Sequence, residues 1–473
     1  MPRSVRVFLT FDVEDPVTAR SDDAVVRVAG LLRERGARAA FFVTGDKARA
    51  LVRRGRPDVF EALRAHDVGY HTNHHSTHPT VAEYLERRDW ADGVAEVVAR
   101  ERSGAELVRE LTGRRLCGFA GPGTSWGPQL PAALAALDIP AHLHSFSRTG
   151  GGHNPHWYAG ALCFARSEAV GPVEDVLPDP ARFAELLARV PELVDRAARS
   201  ADGVLHLYIG HPTMFVNREF WDGLNYAAGR NPAPGAPLAE PAARPAEETR
   251  TMLDNLGRLV DAVRARPGAE IVGFGDLVEE RLRTPAPRGD WFAAELRAAA
   301  AEPGIRTTSR TASPAQLLHA MCGAVLGRDP GSGGPPGEVH GPVARPAGGI
   351  PAGGRCEADR DTVLGLAAEL CREVAATGAL PASVRGPGGV AVAPATLHRG
   401  LLDLAGTGGA EALRELPARV VLPAVAPLPE VGEEMAEHFT RRVRRWMHRP
   451  DLDVTELARL TRAQTWTLRA TAA

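Results

Sequence analysis

A chain of 473 residues exceeds what one hydrophobic core usually supports, so two or three domains are expected. An apolar share of 44%, a net charge of -2 and a pI of about 6.8 fit an ordinary globular protein, and they speak against a nucleic-acid or acidic-membrane partner. Five scattered cysteines (Cys117, Cys163, Cys322, Cys356 and Cys371) form no C-x-x-C pair, which excludes a disulfide scaffold and a thiolate zinc site. No apolar run reaches the roughly 18 residues of a membrane span, and Met1–Thr10 meets Asp12 too soon to read as a signal peptide. The expected location is therefore the cytoplasm. Lys47 is the only lysine, which reads as arginine-favouring codon usage.

Val5–Phe11 reads as a buried strand running into T-F-D-V-E-D, Thr10 to Asp15. Asp22–Arg35 is expected to be a helix, Ala37–Val43 a strand, Arg56–Ala65 a helix and Asp67–His71 a strand. Val81–Ser103 and Glu106–Thr112 read as helices, Leu116–Ala120 as a strand, Pro128–Leu137 as a helix and Ala141–Ser145 as a short strand. Pro180–Arg199 is a helix leading into the strand Gly203–Pro212; Glu247–Arg266 is a long helix, Ala269–Phe274 a strand and Asp276–Arg283 a small helix. This alternation is the α/β signature, and the polar clusters fall after strand ends, where ligands bind in parallel sheets. Because several strand ends carry them, a barrel fits better than an open sheet with one crevice.

Residues 1–285 form this first domain, with a boundary at Pro285–Asp290 and a linker over 286–310. Residues 311–473 read as a smaller, mainly helical accessory domain with a Gly/Pro-rich loop at 328–354. Ala312–Met321 and Val392–Leu401 echo one another, each with a proline suited to a first helical turn, so small repeated modules are expected there.

Eleven of the sixteen histidines precede residue 212, and their centre is H-D-V-G-Y-H-T-N-H-H-S-T-H, His66 to His78. His71 and His75, four apart, point the same way on a helical or tightly turned segment. A carboxylate from Asp12, Glu14 or Asp15 would complete a two-histidine, one-carboxylate site that leaves open positions on a divalent metal. Such a metal acidifies water and polarises a carbonyl. His66, His74 and His78 are better read as surface or supporting residues.

These runs resemble the polysaccharide deacetylase family, also called the NodB-homology or carbohydrate esterase family 4 group. Its T-F-D-D motif is matched by T-F-D-V-E-D in a D-V-E-D variant, and its histidine motif by H-D-V-G-Y-H-T-N-H. The resemblance implies a deformed (β/α)7-8 barrel over residues 5–285. It also implies Asp12 as base, His71 and His75 as ligands, and Glu14 as the third ligand with Asp15 as the alternative. The third motif survives as the turn Gly121-Pro122-Gly123, whose N-H groups could hold an oxyanion, but the family's arginine is replaced by Ala120. Arg148 is a candidate substitute. His211, at the end of H-L-Y-I-G-H-P, matches the general acid, with His206 a supporting residue. Trp126, His144, Trp221, Asp222 and Asn225 are candidate substrate-lining residues. The cofactor implied is a divalent metal, Zn2+ ahead of Co2+, Ni2+, Mn2+ or Fe2+. The implied reaction is hydrolysis of a non-peptide C–N bond, first of all N-deacetylation of an N-acetylated sugar or sugar conjugate. A small or cyclic amide as substrate, and a non-catalytic carbohydrate-binding or structural protein retaining the barrel, are the alternatives. The helical region faintly resembles pseudomurein-binding-like modules.

Overall fold

The computed structural model describes residues 4–123, 125–144, 154–165, 171–200, 202–233, 235–283, 290–332, 334–345, 355–424 and 447–471. β1 (Val5–Val13) has a nearly unbroken buried pattern, because both faces of a central parallel strand are covered. α1 (Arg20–Glu34) turns Val25, Val28, Ala29 and Leu32 inward at helical spacing. β2 (Ala39–Val43) follows, then α2 (Gly45–Arg53), a helix not expected from the sequence and capped by Thr44, whose side chain accepts from Lys47 N. α3 (Pro57–Leu63) and β3 (Asp67–Tyr70) come next.

The helix expected over Val81–Ser103 is broken in two. α4 (Val81–Leu85) ends before Asp89, whose carboxylate caps α5 (Trp90–Thr112), and α5 runs straight through the expected gap at 104–105. β4 (Phe119–Ala120), α6 (Gln129–Ala133) and β5 (Ala141–His144) follow. The strands β6 (His156–Tyr158) and β7 (Ala161–Ala165) were not anticipated. α7 (Pro180–Arg199) leads into β8 (Val204–Gly210); then come α8 (Trp221–Tyr226), α9 (Ala246–Arg264), β9 (Ala269–Ile271) and α10 (Phe274–Arg283).

Among the described residues the strands form one ten-stranded sheet in the path β14-β6-β7-β5-β4-β3-β2-β1-β8, with β9 on β1 and β14 being Arg469–Ala470. The pairs from β8 through β1, β2, β3, β4, β5 to β7 are parallel, while β6 pairs antiparallel with β7 and β14. Among the described residues no pairing joins the two ends of the path, so the expected barrel is seen as a curled, open sheet. The parallel run brings the carboxyl ends of β1, β3, β4 and β8 to one edge, and this places the site.

The remaining described chain is largely helical, with α11 (Trp291–Ala300), α12 (Pro314–Val325), α13 (Arg360–Thr377) and α14 (Pro394–Arg414) around a second core that includes Trp291, Leu318, Leu366 and Leu401. α11 lies inside the segment read as a linker. The echoed segments both open helices with proline in the first turn, α12 capped by Ser313 and α14 without a side-chain cap. Two small antiparallel pairs decorate this region: β10 (Cys356–Asp359) with β13 (Arg419–Leu422), and β11 (Val384–Arg385) with β12 (Ala391–Val392). The last described stretch returns to the ten-stranded sheet and its core. Leu452 and Val454 ahead of α15 (Thr455–Ala463), Leu457 within it, and Leu468 join the first core, and β14 extends its sheet.

Candidate metal centre and proton-transfer groups

Asp12 lies beside Phe42 and Val13 beside Val43 in the β1–β2 register, and Glu14 follows directly. The strand alternation therefore sends both carboxylates to one side. The β3 chain leaves through His71, whose N-H donates to Val43 O at 3.0 Å. In the loop beyond, Thr72 and His75 have φ of 69° and 44°, in the left-handed region that side-chain-bearing residues rarely adopt. The turn is held by its neighbours. Gly45 N donates to Thr72 O at 3.0 Å, Asp46 N to Asn73 O at 2.9 Å, and Asn73 N to buried Glu101 Oε2 at 2.7 Å. It is this strained loop, rather than a helix face, that makes the two imidazoles converge. His71 Nε2 is 3.0 Å and His75 Nε2 2.8 Å from Glu14 Oε2.

These three donors lie within 4.8 Å of one another and are all buried. Two neutral-capable imidazoles and a carboxylate suit a divalent ion of the Zn2+ type, so the residues fit the metal that the motif implies. His75 is oriented from behind: its Nδ1 is 2.7 Å from Ser76 Oγ, which donates to Asp222 Oδ2 at 3.1 Å. The Trp221 indole donates to Glu14 Oε1 at 3.2 Å and steadies the other carboxylate oxygen. Burial opposes the charge of Glu14, but His75 and His211 and the hydrogen bonds from His71 and His75 outweigh it and hold the carboxyl well below its usual range.

Beside this cluster lies a second set of groups. Tyr208 on β8 donates to Asp12 Oδ2 at 2.8 Å, and its hydroxyl is 3.1 Å from His211 Nε2. His211 Nδ1 is 2.7 Å from Glu174 Oε1, and its backbone N-H donates to Glu174 Oε2 at 2.5 Å. This contact requires glycine at 210, where φ is 116° and a Cβ would lie 2.3 Å from Glu174 Cδ. His211 Nε2 is 3.9 Å from Asp12 Oδ2 and 3.8 Å from Glu14 Oε2. Burial works against the imidazolium, but the charge of Glu174, with Glu14 and Asp12 behind it, pushes His211 up to about 10.

The structure separates the two acids that the sequence left open. Asp15 accepts hydrogen bonds from Val17 N, Thr18 N, Thr18 Oγ1, Thr213 Oγ1 and Asn217 Nδ2, so its carboxylate is spent on tying the loop together. Glu14 is the acid inside the histidine cluster. His206 meets Thr10 Oγ1 at 2.8 Å and stacks on Phe8, while His66 is a buried residue bonded to Ala29 O. His74 is exposed beside Asp46, and His78 pairs with Glu83.

Gly121-Pro122-Gly123 forms a turn after β4 at the same sheet edge, closed by Ser125 N donating to Pro122 O at 3.0 Å. Ala120 is buried in an apolar cluster with Phe42 and Leu143, and the hydrogen bond to Asp12 comes from Tyr208 on the opposite side of the sheet path. Trp126 is buried between His142 and Tyr158. Trp221 and Asp222 are buried, the first bonded to Glu14 and the second to Ser76. Asn225 spans its own loop, bonding Trp221 O and the backbone of Ala239. The His144 side chain and Arg148 lie outside the described residues.

Sequence reasoning missed Tyr208, Glu174 and Ser76. Tyr208 lies inside the same H-L-Y-I-G-H-P run as His211, but three residues apart on a strand points to opposite faces. An irregularity in the β1–β8 register between Thr10 and Phe11 brings them together. Glu174 carries no sequence signal.

Residues 2–142 match the protein family described as polysaccharide deacetylase. No curated protein sequence matches the chain. Among solved structures, a protein from Mycobacterium smegmatis described as a polysaccharide deacetylase is 19% identical, with a TM-score of 0.39, and the likeness covers 61% of this chain and 94% of that one. A family 4 carbohydrate esterase from Streptomyces lividans, in complex with acetate, is 14% identical with a TM-score of 0.29, covering 56% and 90%. The Puue allantoinase is 11% identical with a TM-score of 0.39, covering 60% and 92%.

Proposed function

We propose that this protein is a metal-dependent hydrolase of non-peptide amide bonds, acting by N-deacetylation on an N-acetylated sugar or sugar conjugate. The observation that carries the reading is the convergence of His71, His75 and Glu14 on one point beside Asp12 and His211. Glu14, His71 and His75 would hold the metal, with Zn2+ first among the candidates. When bound there, it would polarise the amide carbonyl and make a water acidic.

The remaining chemistry belongs to the chain. Asp12 takes the proton of the attacking water. Tyr208 holds the Asp12 carboxylate by the hydrogen bond that an arginine at position 120 would otherwise supply. His211, kept protonated by Glu174, gives a proton to the departing nitrogen. The Gly121–Gly123 turn offers backbone N-H groups to the oxyanion. Retention of base, acid and their partners favours an enzyme over a non-catalytic binder, because a binder has no use for a carboxylate-backed imidazolium aimed at a second carboxylate.

The test is direct. Metal content is measured by mass spectrometry, and acetate release is followed with N-acetylglucosamine oligomers and with a panel of small amides, before and after chelation and Zn2+ return. Release restored by Zn2+ from the sugars supports the proposal; release from the small amides alone moves the substrate class to the alternative. Turnover undiminished in metal-free protein would overturn the mechanism.

A further inference from the structure

The chain places arginine at every other basic position of its lysine and arginine complement, and keeps one lysine. Lys47 is almost fully buried, with 1% of its side chain exposed, and it touches neither a proposed metal ligand nor a proton-transfer group. Its ammonium makes three hydrogen bonds to three separate acceptors: Asp15 O at 2.7 Å, Ser21 Oγ at 2.7 Å and Asp22 Oδ1 at 2.6 Å. A planar, bulkier guanidinium cannot place three donors around one point in this way, which explains why arginine does not stand here.

Each strand exit of the candidate site connects to this point. The Asp15 carbonyl comes directly after Glu14. The Asp15 carboxylate accepts from Thr213 and Asn217, just beyond His211. Lys47 itself sits on α2, whose first turn donates Gly45 N and Asp46 N to the carbonyls of Thr72 and Asn73 between His71 and His75. The ammonium thus fastens the exit of β1, to which the Asp15 carboxylate joins the exit of β8, onto α2, whose first turn holds the exit of β3. From this we infer that Lys47 is a positioning residue that sets the distance of Glu14 from the His71–His75 pair, and so the affinity of the metal centre. The inference rests on the proposed metal site.

Lys47→Met keeps the stem and removes the donors. Asp22 remains bonded to Arg54, with Arg56 nearby, so its charge is not stranded and the fold survives. Zn2+ affinity is measured by competition with a chromogenic chelator on wild type, K47M and the control L51A. Leu51 is buried on the same helix but outside the network, so L51A loses stability without touching the acceptors. K47M is expected to weaken Zn2+ binding by about 10-fold, the low end of the cost of losing a direct partner of a metal ligand, because Lys47 acts one residue removed from Glu14. L51A, at a comparable loss of thermal stability, stays near wild type. Ser21→Ala, which removes one acceptor of the ammonium together with the hydroxyl's own bonds to Thr18 O and Asp15 O and leaves the Asp22 contact, is the milder second variant and should weaken binding about threefold. If K47M does not fold, S21A decides the question. Wild-type affinity in K47M, or in S21A where K47M fails to fold, or equal losses in K47M and L51A, overturns the positioning role. Failure of wild type to bind Zn2+ would instead show in the wild-type titration itself and would remove the proposed function.

Discussion

Replacing Glu174 with glutamine tests the acid side of the site. The amide oxygen can still accept from one of the two His211 donors, Nδ1-H or the backbone N-H, but the NH2 cannot accept from the other, so the substitution removes the charge together with one of the two hydrogen bonds. His211 stands at about 10 against an ordinary 6.5. At about 1.4 kcal/mol per pH unit, that corresponds to roughly 5 kcal/mol favouring the imidazolium, net of its burial. Glu174, at 2.7 Å from Nδ1, is the largest favourable source, with Glu14 and Asp12 further away. Its loss should bring the His211 midpoint down by about two pH units or more, roughly 3 kcal/mol. The assay is histidine Cε1-H titration by NMR in metal-free protein, from pH 5 to 10.5. Stability follows with a fixed sign. Because the folded pKa is raised, the stabilisation is complete below 6.5 and is lost as pH rises through about 10. E174Q should therefore be less stable than wild type at pH 6, and the gap should close above pH 10 in urea melts. A His211 midpoint that stays above 9 in E174Q would refute the assignment of Glu174 as the source.

Three further outcomes are expected. His71→Ala and His75→Ala should each abolish stoichiometric Zn2+ binding in a calorimetric titration, and unchanged binding in either would remove that residue from the ligand set. Tyr208→Phe should cost only about 1 kcal/mol in stability, the net worth of a hydrogen bond, while slowing amide hydrolysis strongly at unchanged metal content; equal kcat in wild type and Y208F would show that Asp12 needs no donor from β8. In the helical region, His398 is buried, neither ring nitrogen has a hydrogen-bond partner among the described residues, and burial pulls its pKa down to about 3. It is uncharged when folded and must stay so, hence stability should fall as pH drops from 6.5 towards 3, by about 1.4 kcal/mol per pH unit. Replacing it with methionine should flatten that slope in denaturation curves between pH 7 and 4.5.

Much of the site was legible because it follows short-range rules. Asp12 and Glu14 are two apart on a strand, and period-two alternation alone sends them to one side. The histidine spacing pointed to His71 and His75, and of the two settings it allowed, a helix or a tight turn, the loop held in the left-handed region is the second. α2 and the break before Asp89 were missed because their limits are set by caps, Thr44 and Asp89, and not by hydrophobic period. β6 and β7 were missed because neither is amphipathic: one is three residues long and the other is buried along its length.

The sequence by itself determined an alternating α/β region, the strand ends that carry chemistry, and a two-histidine, one-carboxylate donor set. These depend on spacings within single elements. Only the tertiary structure decided that Glu14 and not Asp15 meets the histidines, that Tyr208 donates to Asp12, that Glu174 backs His211, and that the last described residues pack on the N-terminal sheet. Each of those is a contact between residues far apart in sequence, set by strand register and loop closure, and no local pattern encodes which distant partner a side chain will meet.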